Sequence, residues 1–280
     1  MIITSKENGH VKLARSLAER KGREETGFFL AEGTRLIGEL LASDIPMRSL
    51  FYTEAFASRD ERGLIRKAQE RGGKLFCVTE AILKHLALTE HPQGIVATAL
   101  ARVGSCEETL IDPEAFYLIL DHVSDPGNLG TILRTARGAG VTAVFLCPGT
   151  ADPHNPKSVR ASAGALFFLN LCRTDNPETL IKRLQSQNVC IYCGDPAGER
   201  DCFTETFPLP WALVVGSEAA GPSPSVRKLA NHRLRIPQYG SGESLNVAVA
   251  SGILLFVGAF RTFHKKIPSR GCKIRKDVLY

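Results

Sequence analysis

Three stretches of this chain put polar residues with chemical potential directly after apolar runs. In the first, the apolar run 116–122 leads into Asp125-Pro126-Gly127-Asn128, and Arg134 follows six residues after Asn128. An Asp-Pro-Gly-Asn turn suits the start of a helix, whose opening amides attract an anion. Arg134 can grip a phosphate through two parallel hydrogen bonds. In the second, WALVVGSEAAG (Trp211 to Gly221), an apolar run ends at Val215 and gives way to Gly216, Ser217 and Glu218. Gly216 lets a ligand approach the backbone, and Glu218 reads as a structural cap, the usual role for such a residue. In the third, IPQYGSGESLNVAVASG (Ile236 to Gly252), a glycine-rich loop containing Gln238 precedes Ser244, Leu245 and Asn246 at the head of an apolar helix. Ser244 reads as a helix cap or as a site residue. Singly, each stretch is weak evidence, and no GxGxxG fingerprint accompanies them.

Such residues work only if a scaffold brings them together. From Phe116 onward apolar runs alternate with amphipathic ones. Strands are expected at 116–122, 143–147, 167–171, 189–193, 212–215 and 233–236, with helices between them. That alternation predicts an α/β fold with a mostly parallel sheet covered on both faces. Ligands of such sheets sit beyond the carboxyl ends of the strands, where all three stretches fall. Residues 1–100 form a second, smaller α/β unit. Helices are expected at 8–20, 34–42, 61–71 and 80–88, strands at 28–31, 48–52, 75–78 and 94–100, and a polar loop at KGREETG. Residues 101–115 have no clear period and read as the linker. The organisation is therefore 1–100, linker 101–115, 116–263 and a basic tail 264–280.

Composition narrows the function classes. Hydrophobic residues are 44% and charged residues 23% of 280, which supports a sizeable core. The longest apolar segment, Val247 to Phe260, is too short to span a bilayer and reads as a buried helix. The N-terminus lacks a signal-peptide pattern, so a cytoplasmic protein without membrane association is expected. Eight cysteines are too sparse for a disulfide framework. Cys190 and Cys193 form a lone CxxC in an apolar run and read as buried strand residues, neither metal nor redox ligands. The net charge of +6 sits mostly in the tail, where six basic residues face one acidic residue. That end is a solvated terminus, a phosphate-binding arm, or both.

Taken together and in order, the motifs resemble the SpoU (TrmH-type) family of RNA 2'-O-ribose methyltransferases, within the SPOUT superfamily. The resemblance rests on Asp125-Pro126, Asn128-Leu129-Gly130, Arg134-Thr135-Ala136, Gly216, Glu218, Gly221, Ile236-Pro237 and Ser244-Leu245-Asn246-Val247. Asn155 to Phe167 resembles the family's middle segment. Ala219, Pro222 and Gln238 depart from it, standing where Gly, Leu and Met are frequent. Residues 1–100 are similar, less closely, to the L30e/L7Ae-like RNA-binding domain often found upstream.

The resemblance implies a parallel sheet whose C-terminal part is threaded as a trefoil knot, a homodimer with the sites near its interface, and S-adenosyl-L-methionine as co-substrate, with no metal. It implies cofactor contacts from Val215, Gly216, Ser217, Gly221, Ile236, Gln238, Ser244, Leu245 and Asn246. The catalytic set is Arg134, Asn128, Glu218, Ser244 and Asn246. A guanidinium, with an unperturbed pKa of about 12.5 or higher, is a poor base. Phosphate binding and hydroxyl positioning are therefore the first roles expected of Arg134, with proton acceptance second. Lys6, Lys12, Arg15, Arg23 and Arg35, with Arg134, are the candidate RNA contacts. Ribosomal RNA is the expected substrate, ahead of transfer RNA. A non-catalytic RNA-binding or assembly factor on the same fold is one rival. An oxidoreductase or small-molecule methyltransferase is another, disfavoured by the missing GxGxxG.

Overall fold

The computed structural model describes residues 2–218, 220–241 and 244–263, so the basic tail 264–280 lies outside the described residues. The first unit contains strands β1 (Ile2–Ile3), β2 (Phe28–Glu32), β3 (Met47–Tyr52), β4 (Lys74–Val78) and β5 (Ile95–Leu100). Its helices are α1 (Gly9–Ser16), α2 (Arg20–Thr26), α3 (Thr34–Ala42), α4 (Glu54–Ala57), α5 (Leu64–Glu70) and α6 (Glu80–Leu86). The strands form one sheet in the order β1-β4-β3-β5-β2, with β5 antiparallel to both neighbours. Alternation along the strands decides which helices pack where. Phe29, Ala31, Ile95 and Ala97 meet α3 and α5, whereas Leu30, Phe51, Val78 and Val96 meet α1 and α6.

The second unit contains β6 (Gly104–Ser105), β7 (Phe116–Leu120), β8 (Ala143–Leu146), β9 (Asn170–Arg173), β10 (Cys190–Gly194), β11 (Arg200–Asp201), β12 (Trp211–Val215) and β13 (His232–Arg235). Its helices are α7 (Pro126–Ala139), α8 (Pro156–Ala161), α9 (Pro177–Ser186), α10 (Pro224–Leu229) and α11 (Val247–Phe263). The eight strands run β11-β13-β10-β12-β7-β8-β9-β6, and every pair is parallel. One face packs Phe116, Leu118, Leu120 and Leu213 against α7 and α11; the other packs Tyr117, Ile119, Phe145 and Val214 against α9 and α10. Coverage on both faces explains why β7 and β12 read as unbroken apolar runs. Gly258 lets α11 come close over β12, since a Cβ there would stand 2.7 Å from the Trp211 ring. The Trp211 indole N–H donates to Thr262 Oγ1 at 3.0 Å and locks that approach.

Several expectations are corrected. KGREETG is not a loop but most of α2, capped by Gly27 in the left-handed conformation. Its helix has no apolar stripe because its buried anchor is an arginine. Arg23 is 4% exposed, donates from Nε to Asp152 at 2.8 Å, and donates from Nη1 to the carbonyls of Leu17 and Ala18. The strand expected at 167–171 begins at Asn170, after a 3-10 turn over Ala165–Phe168. That turn buries Phe167 against Phe29, with ring centroids 5.8 Å apart, and so joins the two units. The linker is not plain coil: its Gly104–Ser105 adds the edge strand β6 beside β9. The helix expected at 61–71 starts only at Leu64, where Asp60 accepts the amides of Leu64 and Ile65.

Candidate active site

The sheet order sets the site. β7 and β12 are neighbours, so the loops leaving their carboxyl ends lie side by side. The loop after β7 ends at Asp125, whose carboxylate accepts the Asn128 amide at 2.8 Å and caps α7. Lys157 Nζ donates to the other oxygen of Asp125 at 2.7 Å. These bonds, the lysine's first, hold the Asp125 carboxyl below its usual range. The cap fixes the first turn of α7 and hence the direction of the Asn128 side chain.

Asn128 then joins the three stretches. Its Nδ2 donates to Glu218 Oε1 at 3.0 Å, and its Oδ1 accepts from Asn246 Nδ2 at 3.1 Å. Asn246 Oδ1 in turn accepts the amides of Ala248 and Val249 at the head of α11. The polarity of this chain is fixed at both ends. A carboxylate can only accept and backbone amides can only donate, so each asparagine between them has one allowed orientation. The cap of α11 is thus Asn246, and Ser244, offered as that cap by the sequence, is an exposed residue facing a cavity.

That cavity, of about 290 Å³, lies beyond β10, β12 and β13. Val215, Gly216, Ser217, Gly221, Ile236, Gln238, Ser244 and Leu245 line it, so the expected cofactor residues meet there, all but Asn246. Glu218 lines it too and carries the hydrogen-bonded chain to its mouth. Gly216 has a different reason from ligand approach. A Cβ there would fall 1.9 Å from Pro222 N and 2.0 Å from Gly221 C, so the glycine is required for the loop to double back on its own strand. Reciprocal amide bonds of 3.0 Å between Ser217 and Gly221 close this turn. Asp121, fully buried after β7, accepts the Ser223 amide at 2.7 Å and holds the far side of the loop. Apolar walls from Val215, Leu234, Ile236 and Leu254, with polar groups at the rim, suit a nucleoside bearing a polar tail.

Sequence reasoning missed Asp195 and Arg227, which also line the cavity. The available signal was the position of Asp195, just past the apolar run 189–193, among strand ends that already held the other site residues.

Arg134 is exposed on α7 and makes no hydrogen bond or ion pair among the described residues. It stands one turn before Gly138, which abuts Phe256 of α11. The structure therefore brings Asn128, Glu218 and Asn246 into direct contact but leaves Arg134 outside their chain. Of the proposed RNA contacts, Lys6, Lys12, Arg15 and Arg35 are exposed on the first unit, Lys12 pairing with Glu7. Arg23 differs from them: it is buried and bonded to Asp152, and so ties the two units together. Burial pushes the Cys193 thiol up to about 12, in keeping with an inert strand residue. Among the described residues no group of three or more His, Cys, Asp or Glu could hold a metal ion, and no helix is long and apolar enough to cross a membrane.

Residues 115–256 match the SpoU rRNA Methylase family. The chain belongs to that family. Residues 8–97 match the MRM3-like substrate binding domain, which assigns the first unit. Among SpoU relatives, the 23S rRNA (guanosine(2553)-2'-O)-methyltransferase RlmP of Bacillus subtilis is 34% identical, over 91% of this chain and 97% of its own. An uncharacterized tRNA/rRNA methyltransferase of Synechocystis sp. is 32% identical over 91% of this chain and 92% of its own. The AdoMet-bound rRNA methyltransferase from Sinorhizobium meliloti superposes with a TM-score of 0.83 at 31% identity, covering 96% of this chain and 99% of that one. The fold of that rRNA methyltransferase is therefore shared along nearly the whole length, in both units.

Proposed function

We propose that this protein is a cytoplasmic, homodimeric enzyme that transfers the methyl group of S-adenosyl-L-methionine to a ribose 2'-hydroxyl of ribosomal RNA. The observation carrying this reading is the Glu218–Asn128–Asn246 chain at the mouth of a nucleoside-sized cavity. It is supported by near full-length similarity to 2'-O-methyltransferases of 23S rRNA. When bound, the co-substrate supplies a methyl group on a sulfonium, already activated as a leaving group, so the reading requires no metal.

Within this scheme the cavity loops hold the adenosine, and Ser244 and Leu245 border it from the β13 side. The new bond joins the 2'-oxygen to the methyl carbon, the carbon–sulfur bond breaks toward sulfur, and the hydroxyl proton leaves to a base. In-line approach requires the ribose to be held firmly. Asn128 is positioned for that task by two hydrogen bonds of its own. Arg134, exposed and without a partner among the described residues, fits a phosphate of the incoming RNA. The first unit, with Lys6, Lys12, Arg15 and Arg35 exposed on it, supplies the choice of RNA. The trefoil knot expected from the resemblance belongs to the same reading, and an experimental chain trace through 211–263 tests it.

The test is Arg134→Ala with the native rRNA substrate. The variant is expected to fold, to bind S-adenosylhomocysteine normally and to lose methyl transfer; full turnover would sink the assignment. The dimer has a separate support. Leu245, Val249 and Phe256 leave an apolar edge on and before α11 that is 38%, 53% and 51% exposed, adjoining the face of α7 that bears Arg134. Sedimentation should show a dimer that Phe256→Asp converts to monomer. A wild-type chain that sediments as a monomer at micromolar concentration would refute that part.

A further inference from the structure

The cavity has a polar floor apart from the motif residues. In the sheet, β10 lies between β12 and β13, whose following loops form the cavity walls. The carboxyl end of β10 is therefore the floor, and the residue there is an acid. Asp195 is 5% exposed. Its Oδ1 accepts the Ala197 amide at 2.9 Å, but its Oδ2 is buried with no hydrogen-bond donor among the described residues. Two guanidinium groups approach that oxygen. Arg233 Nη1 stands 3.8 Å away, and its Nε is already on Glu199 at 3.0 Å. Arg227 Nε stands closer, at 3.4 Å, facing the carboxylate without hydrogen-bond geometry.

Arg227 is held on two sides. Below it is Asp195; above, its Nη2 donates to the carbonyls of Ala220 and Pro222 in the loop after β12, at 3.1 and 3.3 Å. Its side chain remains 38% exposed and lines the cavity, and Nη1 has no partner among the described residues. The charge balance of the cavity decides what that group is for. Asp195, Glu218 and Arg227 are the charged side chains that line it among the described residues, so Arg227 is the single cation. S-adenosylmethionine carries one carboxylate beside an ammonium and a sulfonium. A carboxylate is repelled from Asp195 and Glu218 and is attracted to Arg227, whose Nη1 carries two N–H groups without a partner among the described residues.

We propose that Arg227 receives the amino-acid carboxylate of S-adenosylmethionine and that Asp195 is the positioning residue that holds its guanidinium in the cavity; this rests on the methyltransferase reading above. The arrangement leaves the Glu218 side for the positive end of the molecule, toward Asn128. A neutral loop strut would look similar in the structure, so the test must separate ligand recognition from loop support.

Titration calorimetry with two ligands does so. S-adenosylhomocysteine has the amino-acid end, whereas 5'-methylthioadenosine keeps adenine, ribose and thioether but lacks it. Arg227→Ala should weaken S-adenosylhomocysteine by about tenfold or more and leave 5'-methylthioadenosine within about twofold. Arg227→Lys, which keeps the charge but not the guanidinium anchored on the loop carbonyls, should give a smaller loss with the same selectivity; it decides the matter if the alanine variant does not fold. Asp195→Asn should weaken S-adenosylhomocysteine selectively and by less than Arg227→Ala. Equal losses for the two ligands would mean a loop strut only and overturn the proposal, as would unchanged S-adenosylhomocysteine binding. Failure of the wild-type protein to bind S-adenosylhomocysteine at all would instead sink the methyltransferase reading, and this assignment with it.

Discussion

Asn128 is the residue on which the three loops converge. It contacts Glu218 from the loop after β12 and Asn246 from the loop after β13, while its own backbone is tied to Asp125. Replacing it with Ala removes two side-chain hydrogen bonds, one of them to a carboxylate. A bond of that kind is worth about 1.5–3 kcal/mol, so methyl transfer should fall roughly 10- to 150-fold. Asn128 does not line the cavity, so affinity for S-adenosylhomocysteine should change by no more than about threefold. Single-turnover rates and calorimetry on the same variant check both halves. An equal loss in rate and in binding would show that Asn128 acts through the cofactor loops and not on the ribose.

At the scale of the element, α7 owes its start to Asp125. The carboxylate caps the helix and pairs with Lys157. Asp125→Ala should cost about 1 kcal/mol, the usual worth of such a cap, seen as a Tm lower by about 2–4 °C. Because the folded carboxyl titrates below its ordinary value of 3.8, its contribution is complete above that pH. It is lost as pH falls through the lower folded value. The Tm difference between wild type and variant should therefore shrink toward zero in acid; a difference constant down to pH 2 would exclude the cap and ion pair as its source. The helix and its cap were legible in the residues, since Asp-Pro-Gly-Asn states the turn directly. The helix α2 was not legible, because an ion pair with a residue 129 positions away leaves no local period.

At the scale of the whole molecule, the two units behave as one packed body. Phe29 of the first sheet stacks near both Phe167 and His154 of the second unit, and Arg23 reaches Asp152 in the same region. Burial pushes His154 down to about 4, with Arg23 and Arg173 acting in the same sense and Asp152 opposing them. The ring is neutral in the folded protein at pH 7 and takes a proton more readily when unfolded. Its folded pKa is below the unfolded value, so stability is full above about pH 6.5 and falls as pH drops from there toward 4. His154→Leu should flatten that part of the pH–stability curve relative to wild type in denaturant titrations. Parallel curves for the two proteins between pH 6.5 and 4 would show that His154 is not a source of the acid sensitivity.

The α/β alternation, the two units, the three strand-end motifs and the chemistry they resemble were all readable from residue order alone. That was possible because apolar period, turn residues and motif order are local or sequential properties. The tertiary structure decided what depends on which strands are neighbours. Placing β7 beside β12 turned Asn128 and Glu218, 90 residues apart, into a hydrogen-bonded pair. Placing β10 between β12 and β13 made Asp195 the floor of the cavity. Packing also moved Arg23 from the list of RNA contacts into the seam between the units, where a buried guanidinium needs a carboxylate. The three stretches that first suggested chemistry are thus one site because strand order, which no single stretch encodes, sets their loops side by side.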